Sequence, residues 1–214
     1  MIRACIYIDG FNLYNRALKR RFKQYKWLDL GALCRKLLPD HDIRLIKYFT
    51  SLINADDYDE DKETRQQIYL RALKTIENLS IHYGRFQENV GKRALSESPR
   101  NPDGSWNTVS VLLPGEKGSD VNLATQMLLD GFKDRYDIAV LITNDSDFAE
   151  PIKAVIHELH REVWVYSPAE YVLPTLKVIS SKSAIIWKTA FRDSQFPDQM
   201  RDSTGIFHKP DKWQ

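Results

Sequence analysis

Five side chains that offer oxygen ligands stand in this sequence where apolar runs end or helical patterns begin. They are Asp9, Asn12, Asp120, Asp145 and Asp147. In an open parallel sheet, ligands bind outside the carboxyl ends of the strands, so residues at such positions are expected to converge on one cleft. Carboxylates brought together repel one another unless a proton or a cation neutralises them. Oxygen ligands without histidine or cysteine suit Mg²⁺ or Mn²⁺, which can activate a water molecule and stabilise charge on a phosphate.

Each of these residues taken alone also has an ordinary structural explanation. Asp9 followed by Gly10 could simply end a strand. Asp120 could complement the dipole of the helix that it opens, and Asp147 with Glu150 resembles a capping box. The chemical interpretation therefore depends on all of the acids occurring together at loop openings.

The elements that would position these side chains alternate between strand and helix. Apolar and β-branched runs predict strands over 2–8, 43–53, 80–87, 108–113, 137–143 and 161–167. Helical spacing predicts a helix from about Phe11 and further helices over 28–38, 57–79, 120–132 and 148–159. This alternation predicts an α/β fold with a doubly wound, mostly parallel sheet and helices on both faces.

Two segments lack this periodicity. Residues 88–107 are polar and contain the turn signal Asp103-Gly104, so we predict a long loop, which in a compact domain is often functional. After about Phe191 the composition becomes polar without any period. We therefore expect one domain over residues 1–190 and an irregular, extended C-terminal tail over residues 191–214.

Composition excludes several classes of protein. Hydrophobic residues make up 43% of the 214 residues, which is typical of a globular chain with a sizeable core. No apolar run approaches the roughly 20 residues that cross a bilayer, and Asp9 interrupts the first apolar stretch, so neither a membrane partner nor a signal peptide is expected. Cys5 and Cys34 lie in apolar patterns and are expected to be buried, reduced thiols, which favours a cytoplasmic location.

Positive charge is concentrated although the net charge is only +2. Six basic residues, with no acid among them, stand within one short stretch: Arg16, Lys19, Arg20, Arg21, Lys23 and Lys26. Lys92 and Arg93 lie in the predicted polar loop, and Lys117 precedes Asp120. Such residues could hold the backbone of a polyanion. The alternative is that the basic stretch is the solvated face of a helix.

Three motifs in order along the chain resemble the NYN domain family. That family belongs to the PIN-like superfamily of metal-dependent ribonucleases and includes the LabA-like bacterial proteins. The resemblance extends over about residues 1–167, with the middle of that stretch similar only in pattern. It is carried by YIDGFNLYN (7–15), EKGSDVNLATQMLLDGF (116–132) and YDIAVLITNDSDFAEPIK (136–153).

The resemblance implies a PIN-like, Rossmannoid sheet and a site for Mg²⁺ or Mn²⁺. Asp9, Asn12, Asp120, Asp145 and Asp147 match the functional positions of the family. By this resemblance the metal ligands are Asp9, Asp120 and Asp145. Asn12 positions the first carboxylate or the scissile phosphate, and Asp147 tunes the site or orients water. The RNA-binding residues are then Arg16, Lys19, Arg20, Arg21, Lys23, Lys92, Arg93 and Lys117.

One position departs from the family pattern. The family commonly has a second Asp six residues after the position of Asp120, where this chain has Gln126. An amide can coordinate a metal but contributes no charge. Asp130 lies on roughly the same helix face, but it stands too far along the helix to replace the missing acid.

The leading hypothesis is a metal-dependent ribonuclease that hydrolyses RNA phosphodiester bonds. A first alternative is an RNA- or protein-binding NYN module without catalysis, which Gln126 favours. A second is an enzyme like the hydroxysuccinoylpyridine monooxygenases, because EKGSDVNLA with NDSD is also similar to a subset of the family that bears this name. Against it, the sequence has no Gly-x-Gly-x-x-Gly loop for a dinucleotide and no evident residue set that activates oxygen. The sequence does not identify which RNA would be the substrate, and a homo-oligomer is possible.

Overall fold

The computed structural model describes residues 1–53, 59–97 and 100–213, with residues 86–89 and 112–116 described by their backbone only. The strands are β1 Arg3–Asp9, β2 Asp42–Thr50, β3 Leu79–Tyr83, β4 Arg85–Ala94, β5 Thr108–Lys117, β6 Ile138–Ile142, β7 Glu162–Ser167, β8 Lys182–Ile185, β9 Gln199–Asp202 and β10 Gly205–His208. The α-helices are α1 Gly10–Leu13, α2 Leu30–Leu37, α3 Lys62–Leu73, α4 Ser119–Phe132, α5 Ala149–His157, α6 Pro174–Ile179 and α7 Lys188–Arg192. Within these described ranges, no helix is long and apolar enough to cross a bilayer.

Six strands form one parallel sheet in the order β3-β2-β1-β6-β7-β8. The chain builds outward from β1 through β2 to β3, and then returns to place β6 on the other side of β1. This reversal creates a topological switch point between β1 and β6, where open α/β sheets bind their ligands. The predicted doubly wound, parallel sheet is confirmed.

Both faces of the sheet are covered, which explains why its central strands are apolar throughout. Alternate residues of β1 point to opposite faces. Ile6 packs into the core beneath α2, together with Leu33. Tyr7 packs into the second core with Met127 of α4 and Ile152 of α5. A strand buried on both sides shows no polar alternation, so a continuous apolar run was the correct signal for it.

The segment predicted as a polar loop is partly a β-ribbon. Strands β4 and β5 pair antiparallel, from Arg85 opposite Lys117 to Ala94 opposite Thr108. The prediction of a loop over 88–107 is therefore wrong for its first residues; residues 98 and 99 lie outside the described part. A ribbon outside the main sheet need not bury an apolar face, so its sequence shows no apolar alternation. The helix predicted over 57–79 is shorter, at Lys62–Leu73, and residues 57 and 58 lie outside the described part.

The segment expected to be an extended tail folds back onto the core. Strands β9 and β10 form a hairpin, and Phe191, Phe196 and Phe207 are buried in the same core as β1. The indole N–H of Trp27 donates to the carbonyl of Pro197 at 2.9 Å. The expectation of an irregular, extended tail is wrong, because a few irregularly spaced aromatic rings anchor a polar sequence. A domain boundary at residue 190 stays a prediction.

Candidate active site

Asp9 is the last residue of β1 and caps helix α1. Its Oδ1 accepts the backbone N–H of Asn12 at 2.9 Å, and its Oδ2 accepts the hydroxyl of Thr143 at 3.0 Å. Only 6% of the residue is exposed. The turn into α1 requires glycine at position 10, because a Cβ there would lie 2.6 Å from the carbonyl oxygen of Phe49. The close approach of β2 therefore fixes where the Asp9 carboxylate stands.

Asn12 connects the loops that follow three neighbouring strands. Its Oδ1 accepts the backbone N–H of Asn144, just beyond β6, at 3.0 Å. Asn144 is 2% exposed, and its own Oδ1 accepts the backbone N–H of Leu173, beyond β7, at 2.9 Å. The side chain of Asn12 thus holds the carboxyl edge of the sheet together.

The other two predicted ligands lie on elements that begin at the same edge. Asp120 is in the first turn of α4, which starts after Gly118, a residue with a φ of +91° that glycine adopts readily. Asp145 follows β6, and its Oδ1 accepts the backbone N–H of Asp147 at 3.0 Å. The structure brings Asp9, Asp120 and Asp145 to one pocket.

This pocket has a volume of about 490 Å³ and an uneven distribution of charge. Its acidic wall consists of the three carboxylates, and its basic wall consists of Arg16, Lys19 and Arg20, which lie in and just after the helical segment Tyr14–Leu18. The residues that line it are Asp9, Phe11, Asn12, Asn15, Arg16, Lys19, Arg20, Asp120 and Asp145. Acids beside exposed cations can accept a divalent cation and an anionic group together.

Burial and repulsion shift the titration of Asp9. Loss of hydration raises the pKa of Asp9 to about 6, and the charges of Asp120 and Asp145 contribute in the same direction. The hydrogen bonds from Asn12 and Thr143 act in the opposite direction, because they favour the ionised form. The Asp9 carboxylate is therefore destabilised near neutral pH, and a neighbouring cation would relieve this.

The donor chemistry of the pocket fits a hard divalent cation. Carboxylate and amide oxygens are the ligands that Mg²⁺ and Mn²⁺ prefer. Across residues 1–53, 59–97 and 100–213, however, no group of three or more His, Cys, Asp or Glu side chains is arranged to hold a metal ion. The predicted ligands share a pocket without forming an assembled coordination site, so the metal stays a proposal.

Several predicted site residues are not among those that line the pocket. Asp147 is exposed, and its backbone N–H donates to the side chain of Asp145. Among the hydrogen bonds of the described residues, none is made by the Asp147 carboxylate to cap a helix. Lys92 and Arg93 lie on the ribbon strand β4, and Lys117 ends β5. None of these four residues is among those that line the pocket, in the part of the chain that the structure describes.

The predicted basic stretch divides into two parts. Arg16, Lys19 and Arg20 are exposed and line the pocket. Arg21 instead pairs with Glu170 at 3.2 Å and donates to the carbonyl of Pro168 at 3.1 Å. Lys23 lies in a short 3₁₀ turn beyond the helical segment and does not line the pocket. Arg21 therefore fixes the loop after β7.

Gln126 contributes to a buried network that the sequence did not reveal. Its Oε1 accepts a hydrogen bond from the ammonium of Lys47 at 2.8 Å. The same ammonium pairs with Asp130 at 2.6 Å, with side chains only 7% and 2% exposed. The hydroxyl of Tyr7 also donates to Asp130, at 2.8 Å. A lysine in the middle of the apolar strand pattern 43–53 was the only signal for this network.

A six-stranded parallel sheet flanked by helices is consistent with the PIN-like fold. Residues 3–177 match the family described as "NYN domain". The chain belongs to the NYN domain family, whose superfamily is nuclease-like.

One curated relative and one solved structure illustrate the range of similarity. The "6-hydroxy-3-succinoylpyridine 3-monooxygenase HspA" of Pseudomonas putida (strain DSM 28022 / S16) is 32% identical over 180 residues, covering 72% of this chain. The match covers 55% of that protein, so this chain spans about half of its length. A protein of unknown function, VPA0982 from Vibrio parahaemolyticus RIMD 2210633, aligns with a TM-score of 0.55 at 14% identity, covering 87% of this chain and 94% of that one. This second similarity concerns the fold alone.

Proposed function

We propose that this chain is a ribonuclease that hydrolyses RNA phosphodiester bonds at the acidic pocket, with Mg²⁺ or Mn²⁺ as cofactor. The observation that carries the proposal is the lining of the pocket, where Asp9, Asp120 and Asp145 face the same space as three cationic side chains. An RNA backbone is a chain of phosphates, and basic side chains hold it by neutralising those charges.

Each residue then has a defined task. Asp9, Asp120 and Asp145 would hold the cation, which when bound lowers the pKa of a water molecule and stabilises negative charge on the phosphate. Asn12 keeps Asp9 and the loop after β6 in register through its two hydrogen bonds. Arg16, Lys19 and Arg20 would bind the phosphates on either side of the bond that is cleaved.

The test is cleavage of an end-labelled RNA by the purified chain in EDTA, in Mg²⁺ and in Mn²⁺. Cleavage is expected only with a metal, and Asp120→Asn should abolish it. Glu150→Gln is the matched control, because it removes a carboxylate that is 80% exposed and pairs only with Lys153 in the contacts described. Equal cleavage by wild type and Asp120→Asn, or none by wild type in either metal with several RNAs, would refute the proposal.

The named relative supports a second candidate, an enzyme acting on a hydroxysuccinoylpyridine. The pocket would receive the succinoyl carboxylate at its basic wall. An absorbance change that requires both NADH and substrate would favour this candidate over the nuclease.

A third candidate is a module that binds RNA or protein without cleaving, which the absence of an assembled metal site among the described residues favours. Binding of RNA without cleavage in Mn²⁺ would distinguish it.

A further inference from the structure

Two exposed aromatic residues follow β7 and β8, at the same carboxyl edge of the sheet as the pocket. Tyr171 is 55% exposed and Trp187 is 44% exposed. Because β6, β7 and β8 are consecutive neighbours, the two strand ends lie about 5 and 10 Å beyond that of β6. The proposed reaction gives neither ring a role.

One buried residue anchors both segments. Ser167, the last residue of β7, is fully buried. Its hydroxyl donates to the carbonyl of Tyr171 at 2.7 Å, and its own carbonyl accepts the N–H of Ile186 at 2.9 Å. Trp187 is the next residue after Ile186. The backbone at Tyr171 and the backbone just before Trp187 are therefore both fixed to the same strand end.

The loop that carries Tyr171 is also tied to the pocket. The N–H of Leu173 donates to Asn144, whose own N–H donates to the Asn12 side chain. At the start of the loop, Arg21 holds Pro168 and Glu170. The loop is fixed at one end by Arg21 and at the other by Asn144, so little ordering entropy is left to lose when a ligand meets Tyr171.

We propose that Tyr171 and Trp187 form a stacking subsite for unpaired nucleobases, beside the acidic pocket. The inference deepens the proposed function, on which it rests for the identity of the polymer as RNA. The phosphates of the strand would lie along Arg16, Lys19 and Arg20, while its bases stack on the two rings. Exposed, amphipathic rings next to cations are the combination with which proteins bind single strands. A duplex keeps its base faces inside the stack, so it would not use this subsite.

The test is the affinity of the full chain for a labelled single-stranded RNA of about 12 nucleotides, within the usual site sizes. Fluorescence anisotropy in EDTA measures binding without cleavage. Tyr171→Ala and Trp187→Ala should each weaken binding about tenfold, whereas Tyr171→Phe, which keeps the ring, should bind like wild type. The matched control is Phe132→Ala, since Phe132 is 71% exposed at the end of α4, near the opposite edge of the sheet.

Two further ligands separate stacking from charge. A blunt duplex of the same sequence and a strand with abasic positions should both bind more weakly than the intact strand, and Tyr171→Ala should not weaken them further. Three results would each overturn the subsite. They are binding of the intact strand by both alanine variants as tightly as by wild type, a loss for Tyr171→Ala that is as large with the abasic strand as with the intact one, and no binding by wild type. The first of these outcomes would be expected if the rings serve a protein partner. If binding depends on the rings but wild type never cleaves, only the proposed function fails; if cleavage occurs and binding ignores the rings, only this inference fails.

Discussion

Replacing Asp9 by Asn should make the protein more stable at neutral pH and change how its stability depends on pH. The carboxylate of Asp9 is 6% exposed, and its pKa is raised to about 6 mainly by burial and further by Asp120 and Asp145. A group whose pKa is raised in the folded state holds its proton more tightly there than in the unfolded chain. Folding is therefore favoured while Asp9 is protonated and is opposed once it is ionised.

The size of the effect follows from the shift. Raising the pKa of Asp9 from its ordinary value of 3.8 to about 6 corresponds to a free energy of about 3 kcal/mol. This contribution is fully present below pH 3.8 and is lost as the pH rises through 6. An asparagine does not titrate and keeps one acceptor oxygen for the N–H of Asn12. Allowing about 1 kcal/mol for an altered bond to Thr143, Asp9→Asn should gain about 2 kcal/mol at pH 7.

The assay is urea unfolding of both proteins between pH 4 and pH 7.5. The difference between them isolates Asp9, because His82, whose pKa is lowered by burial, is common to both proteins. The variant should have the greater advantage at pH 7 and should lose it as the pH falls to 4. A difference in the free energy of unfolding that does not vary with pH would refute the reasoning, since it would mean that Asp9 is already ionised throughout this range.

A divalent metal supplies an independent comparison. Metal binding requires the ionised form of Asp9, so Mg²⁺ or Mn²⁺ should raise the Tm of wild type more at pH 7 than at pH 5. Asp9→Asn should show much less of this response. An equal rise in both proteins would place the metal elsewhere and leave the titration argument intact.

Three further substitutions test other parts of the structure. Asp145→Asn should abolish metal-dependent cleavage with the apo stability unchanged within about 0.5 kcal/mol, because Asn caps the turn as well as Asp; lost folding with normal cleavage per folded molecule would make Asp145 structural. Lys47→Met should lower the free energy of unfolding by about 2 kcal/mol in urea, since it removes one of the two cations that pair with the buried Asp130, while Arg135 stays at 3.0 Å from its other oxygen; a change below 1 kcal/mol would contradict the network. Phe207→Ala should also lower it by about 3 kcal/mol, whereas an extended tail predicts no effect.

The parts of the fold that the sequence predicted are those where a single physical cause determines the pattern. Strand β6 is buried on both sides, so its five residues are all apolar and its end is easily located. Asp9 and Asp145 could be placed at the carboxyl edge because Asp9 ends such a strand and Asp145 stands three residues beyond another. Asp120 lies close to these two residues because α4 begins at this edge of the sheet. Gly118 and Ser119 indicate in the sequence where that helix starts.

What the sequence could not predict depends on contacts between distant segments. The β9–β10 hairpin is held by Arg71, whose guanidinium bonds to Asp202 at 2.7 Å and lies 4.2 Å from the centre of the Phe207 ring. Arg71 and Asp202 are 131 residues apart in the sequence. A local sequence pattern cannot predict a contact between residues so far apart. The division of the basic stretch was hidden for the same reason, because only the fold brings Glu170 to Arg21.

Gln126 belongs to a buried network that holds the helix of Asp120 in place. Tyr7 lies two residues before Asp9 on β1, so both side chains point to the α4 face of the sheet. There Tyr7 and Lys47 bind Asp130, while Lys47 also binds Gln126, and these bonds hold α4 against the sheet. Since Asp120 opens the same helix, its distance from Asp9 depends on this network. Gln126 thus helps to position Asp120, which we propose as a metal ligand, and its lack of charge does not by itself argue against cleavage.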